Sequence, residues 1–150
     1  MRAVIQRAAR ASVTIDGRIA GAIDRGLLVL VAVAEGDTSA DGEWLAAKLA
    51  ALRIFPDDEG RMNRSVADIG GGVLVVSQFT LFASTRKGTR PSFNGAAAPV
   101  VAIPLYEQFL VQIETALGRP VARGEFGASM QVELVNDGPV TLIIDTRTRE

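Results

Sequence analysis

Residues 132–145, VELVNDGPVTLIID, contain two strand-like runs joined by Asn136-Asp137-Gly138-Pro139. Asp-Gly between alternating apolar residues is a strong signal for a tight hairpin. The proline that follows fixes φ and removes an N–H that the second strand could have donated to a ladder. The sequence therefore predicts a closing hairpin, carrying a proline whose position strand pairing alone does not explain.

Strand patterning recurs along the chain. Ala3, Ile5 and Arg7 alternate with Val4 and Gln6 as on a half-buried strand. Residues 11–15 and 18–23 flank Asp16-Gly17, a second hairpin signal. LLVLVAVA, residues 27–34, is unbroken and apolar, as in a strand covered on both faces. From about Asp41 the period becomes helical, with Asp41 as N-cap and Leu45, Leu49 and Leu52 recurring beside Trp44. Residues 73–83, VLVVSQFTLFA, read as one strand, and residues 84–98, STRKGTRPSFNGAAA, as a long loop of the kind that is usually functional or mobile. A second helix is expected from near Pro104, with Leu105, Phe109, Ile113 and Leu117 on one face and Gly118 and Pro120 ending it. FPDDEGRMNRS reads as loop, Gly70-Gly71-Gly72 as a tight turn and the tail TRTRE as a frayed end.

At 150 residues, 48% of them hydrophobic, the chain is sized for one domain, residues 1–150, with its own core. About seven strands and two main helices predict an α/β fold, a layered sandwich of mixed or antiparallel sheet packed against helices.

Histidine and cysteine are both absent. This excludes a Ser-His-Asp arrangement, a thiolate nucleophile and disulfides, and removes the commonest metal ligands. No metal or other cofactor is expected: Asp57, Asp58 and Glu59 cluster in a turn without the spacing of a calcium loop. Formal net charge is -1, so a nucleic acid would have to be met by a local patch. Arg86, Lys87 and Arg90, with Phe93 as a stacking platform, are the candidates; the alternative is a solvated surface loop. No apolar run reaches membrane-spanning length and the N-terminus lacks a signal-peptide core, so a soluble cytoplasmic protein is expected.

Ser77, Gln78 and Thr80 interrupt an otherwise apolar run. Such groups can simply satisfy neighbouring backbone. Alternatively the strand ends there in a pocket, with N–H groups and hydroxyls facing a substrate. Without histidine to activate a hydroxyl, that pocket would act by positioning and by stabilising an oxyanion.

SQFTL at residues 77–81, together with NDGPVT at residues 136–141, resembles the paired signature of the D-aminoacyl-tRNA deacylases. The opening MRAVIQRAARASVTIDG, RMNRSVADIGGGVLVV before the first motif, RPSF at residues 90–93 and EFGASMQVELV before the second are similar to that family too, in order and over nearly the whole chain. AAAPVVAIP is more apolar than the family pattern, Arg123 stands where threonine is usual, and TRTRE is extra.

The resemblance implies hydrolysis of the ester between a D-amino acid and the terminal ribose of tRNA. It implies a homodimer, barrel-like at the subunit interface, with the active sites there; the partner is D-aminoacyl-tRNA, with no DNA and no membrane. Residue by residue, it makes Ser77, Gln78, Phe79 and Thr80 the catalytic strip, with N–H groups around Phe79 and Thr80 as the oxyanion pocket. Gly138-Pro139 would be a cis pair that enters the partner's pocket, braced by Arg7, and Phe93 and Met130 would also bind substrate. Fixed main-chain atoms would then collide with an L side chain, while a D side chain points outward. The neighbouring ribose hydroxyl would assist catalysis, with Thr80 as covalent nucleophile the alternative. A non-catalytic RNA-binding module of the same fold and an L-aminoacyl editing domain are the rival readings.

Overall fold

A computed structural model describes residues 1–149. Its spine is β1 (Arg2–Ile15). One edge of β1 pairs antiparallel with β2 (Arg18–Ile23) and β3 (Gly26–Ala32), the other with β8 (Gln131–Asp145). The sheet continues in parallel from β3 to β6 (Gly72–Ser77), and from β6 to β7 (Ala122–Arg123). β4 (Phe55–Pro56) and β5 (Met62–Arg64) form a separate small hairpin where the sequence suggested plain loop. The fold is thus the expected mixed α/β arrangement, with eight strands among the described residues rather than about seven.

The sheet curls almost into a barrel. β2 approaches β7 so closely that a Cβ on Gly21 would lie 2.8 Å from the Arg123 carbonyl oxygen, a contact only glycine allows. Leu28, Leu74 and Val76 fill the barrel side with Ala8, Ala11 and Val13. Leu27, Val29, Val31, Val73 and Val75 face the other way, toward α1 (Ser39–Ala51) and α2 (Pro99–Leu117). Both faces of β3 are therefore buried, which accounts for its unbroken apolar run.

Several boundaries depart from the sequence reading. VELVNDGPVTLIID is one strand, not a hairpin: both halves pair with β1, and Arg7 alone stands opposite residues 137–140. The proline thus lies in a bulge, where no ladder N–H is required. VLVVSQFTLFA is strand only to Ser77; Gln78 N–H makes a last 2.7 Å bond to the Val31 carbonyl, β3 then ends, and the chain turns into a 3₁₀ helix, Phe79–Phe82.

α1 is capped by Thr38, with Asp41 three residues on, accepting from the Thr38 N–H at 2.9 Å in a capping box. α2 starts at Pro99 and keeps Pro104 inside, because burial of Ala102 holds the added turn against the core. Phe109 and Ile113 are buried on the expected face, with Leu105 and Leu117 packed against the core. At 19 residues, α2 is long and apolar enough to cross a membrane by length and composition, contrary to the sequence expectation; here one face of it, with Ala102, Tyr106, Phe109, Leu110 and Ile113, is buried against the core.

The tail is anchored rather than frayed. Thr146 is buried and exchanges bonds with Met1, and Arg147 pairs with Asp37 at 3.1 Å. Glu150 lies outside the described residues.

Candidate active site

A cavity of about 600 Å³ opens where β3 and β6 end against α2 and the segment leading into β8. Ser77, Gln78, Phe79, Phe93 and Met130, all expected site residues, line it together. Thr80 is the next residue of the strip, and its hydroxyl accepts from Gln78 Nε2 at 2.6 Å. Phe79 and Phe93 are both exposed and meet edge to face, with centroids 5.1 Å apart. The 3₁₀ helix begins at Phe79, so the N–H groups of Phe79 and Thr80 have no carbonyl one turn behind them; among the described residues neither donates to any acceptor.

Among the described residues, Tyr106 is the one ionisable side chain on the cavity wall. Burial, with the nearby negative charge of Glu107 second, pushes its phenol up to about 12. Its hydroxyl is 3.4 Å from the Val75 carbonyl oxygen, to which it donates. The cavity therefore presents donors and apolar surface but no group able to act as a base near neutral pH.

Arg7, Gly138 and Pro139 lie elsewhere on the same chain, outside this wall. The Gly138-Pro139 peptide is cis and both residues are exposed. The bulge is fastened from both sides. Arg7 Nε donates to the Asp137 carbonyl at 2.7 Å and lies 3.3 Å from its carboxylate, while Nη1 donates to the Ile54 carbonyl at 2.6 Å. Asn136 Nδ2 donates to the Arg7 carbonyl at 2.9 Å and to the Val140 carbonyl at 3.2 Å. A Cβ on Gly138 would overlap Asn136 Oδ1 and lie 2.8 Å from the Val140 nitrogen, so an added methyl meets its own strand first.

Sequence reasoning gave Asn136 no role of its own, although asparagine before Asp-Gly is a residue whose amide replaces backbone partners in turns. It also passed over Tyr106, Phe126 and Ala128 on the cavity wall, since a tyrosine among apolar helix residues reads as core.

The acidic cluster is spoken for locally. Asp57 accepts from Asn63 Nδ2 and from the Glu59 and Arg61 N–H groups, Asp58 pairs with Arg64, and Glu59 with Arg61. Among the described residues no three His, Cys, Asp or Glu side chains are grouped to hold a metal.

Residues 4–145 match the family model described as D-Tyr-tRNA(Tyr) deacylase. The chain is 70% identical over 150 residues to a D-aminoacyl-tRNA deacylase of Opitutus terrae, covering all of both chains. It is 62% identical over 146 residues to one of Roseiflexus castenholzii, covering 97% of this chain and 92% of the relative. A solved structure of a c-Myc DNA unwinding element binding protein superposes with TM-score 0.91 at 41% identity, over 97% and 98% of the two chains. A probable eukaryotic D-amino acid tRNA deacylase shares the fold at TM-score 0.81 and 20% identity, over 95% and 97%. With nearly its full length matched by that model and by relatives of such identity, the chain belongs to the D-Tyr-tRNA(Tyr) deacylase family.

Proposed function

We propose that this chain hydrolyses the ester bond of D-aminoacyl-tRNA, in the cytoplasm, at a site completed by a second copy of itself. The observation that carries the mechanism is the pair of unengaged N–H groups on Phe79 and Thr80 beside a cavity without a base. Those groups suit an ester carbonyl oxygen that becomes negative as water adds to the carbonyl carbon. The ribose hydroxyl next to the ester positions the water and takes its proton. The bond from carbonyl carbon to ribose oxygen then breaks, and that oxygen receives a proton passed on by the neighbouring hydroxyl, which ends neutral. The protein supplies orientation and charge stabilisation, and the activated ester supplies the rest.

Selection by handedness falls to Gly138-Pro139 of the second copy. The pair is exposed, fastened by Arg7 and Asn136, and not part of the cavity wall of its own chain, which suits presentation to a neighbour. Main-chain atoms held there reject an L side chain and tolerate a D one, whatever its identity. Glycine has nothing to collide, so a glycyl ester is a substrate on this account.

Purified protein given D-Tyr-tRNA and L-Tyr-tRNA tests the reading. Consumption of the D ester with survival of the L ester is expected. Survival of both marks a binding module, and consumption of the L ester marks an editing domain.

A further inference from the structure

We infer that the loop at residues 84–92 seats the phosphates of the polynucleotide, so that the RNA reaches the cavity along a stretch of chain that carries no acids. The identity of the RNA rests on the deacylase reading above. The loop is closed at its base by reciprocal backbone bonds, Ser84 N–H to Ser92 carbonyl at 2.8 Å and Ser92 N–H to Ser84 carbonyl at 2.9 Å. One end follows the 3₁₀ helix Phe79–Phe82; the other leads into Phe93, whose ring packs on Phe79. Both ends are therefore tied to the cavity rim, which fixes where the loop points.

Residues 85–92 are all exposed, and Arg86, Lys87 and Arg90 form no ion pair among the described residues. Seven other arginines do pair: Arg2, Arg7, Arg61, Arg64, Arg123, Arg147 and Arg149 each reach a carboxylate. Arg10, Arg18, Arg25, Lys48, Arg53 and Arg119 also reach no carboxylate among the described residues, so what sets the three loop cations apart is their clustering within an acid-free stretch. In a chain with 17 acidic residues, no Asp or Glu occurs between Asp68 and Glu107. That stretch carries β6, the Ser77, Gln78, Phe79 and Thr80 strip, the loop and the start of α2. Among the described residues the cavity wall has no carboxylate either.

A chain of net charge -1 offers a polyanion no overall attraction, so attraction has to come from such a patch. Three flexible cations without partners suit phosphates, which position a nucleic acid without reading its sequence. The exposed rings of Phe79 and Phe93 stand between loop and cavity, where a terminal base can stack while its ester enters.

The test is the full chain carrying Arg86→Ala, Lys87→Ala and Arg90→Ala together, assayed with D-Tyr-tRNA and, for binding, with the same uncharged tRNA. KM and Kd are expected to rise about tenfold or more, and the salt dependence of log K to become shallower by about one per residue removed. Arg86→Lys with Arg90→Lys recovers most of the binding, since a phosphate accepts either cation. Unchanged Kd and salt slope overturn the inference. So does an equal loss with D-tyrosyl-adenosine, which has no phosphate, or from removing Arg18 and Arg61, which lie outside the acid-free stretch. If the parent chain fails to hydrolyse D-Tyr-tRNA, the deacylase reading fails, and the tRNA salt slopes still decide the role of the loop.

Discussion

Arg7 Nε donates to the carbonyl oxygen of Asp137 at 2.7 Å, across a bulge in which Arg7 alone stands opposite residues 137–140. A single side chain, 11% exposed, thus spans from β1 to the exposed Gly138-Pro139 segment and, through Nη1, to Ile54. Arg7→Ala is expected to cost about 3 kcal/mol, since bonds to a charged group contribute roughly 1.5 to 3 kcal/mol each. Urea unfolding measures this. D-ester hydrolysis should fall at least about tenfold where the variant is still folded, a further 1.4 kcal/mol or so in transition-state terms. Arg7→Lys should land between, because one ammonium cannot reach both carbonyls as a guanidinium fork does.

Asp37 should matter for stability and not for chemistry. Its carboxylate lies 2.7 Å from the Met1 ammonium, with side-chain exposures of 0% and 1%, and it also accepts from the Ala34 N–H at 2.6 Å and meets Arg147. Asp37→Ala leaves a buried cation without its counterion, which costs about 3 to 5 kcal/mol. The urea midpoint should drop accordingly, and KM measured at low temperature should stay put.

Asp145 sets part of the acid sensitivity. Burial opposes its ionisation, yet hydrogen bonds from the Arg147 N–H and Arg2, with the Arg2 charge, hold its carboxyl below the usual carboxylate value. A depressed folded value means that the stabilisation is complete above the unfolded value, about pH 4, and disappears as pH falls through the lower folded one. Asp145→Asn should lower stability at pH 7 and flatten the pH dependence of unfolding below about pH 4.

Thr80→Ala separates the two mechanisms. Turnover within about tenfold of the parent is expected if the RNA supplies the base, and near-complete loss points to a Thr80 nucleophile. A tRNA ending in 2′-deoxyadenosine should be hydrolysed about a hundredfold more slowly, the low end of a general-base contribution. Tyr106→Phe should leave the shape of the pH–rate profile below pH 10 unaltered, because the phenol, at about 12, is neutral throughout that range.

Local chemistry was legible wherever local chemistry decides. Asp16 and Gly17 take positive φ, 49° and 76°, as the tight turn between β1 and β2 requires, and the apolar run in β3 reports its two covered faces. Asn136-Asp137-Gly138-Pro139 carries the same local signal and does something else, because β1, 14 residues long, has an edge able to hold both halves of β8. That edge is invisible from residues 132–145 alone. The end of β6 at Ser77 likewise depends on where β3 stops. In the site, SQFTL led to a strip that the structure gathers with Phe93 and Met130 at one cavity. That Gly138-Pro139 lies outside the wall of that cavity could not be read from sequence, since it depends on how β8 pairs along β1.

Mixing two defective variants tests the shared site most directly. Gly138→Ala displaces the bulge, since its methyl overlaps Asn136 Oδ1, and Phe79→Pro, at the first position of the 3₁₀ helix, removes an N–H from the proposed oxyanion pocket; each alone should lose nearly all activity. Refolded together in equal amounts, random pairing gives half of the dimers one intact site, so about a quarter of the parent D-Tyr-tRNA hydrolysis should return. No recovery from a mixture shown to contain the mixed dimer would contradict a site built from two copies.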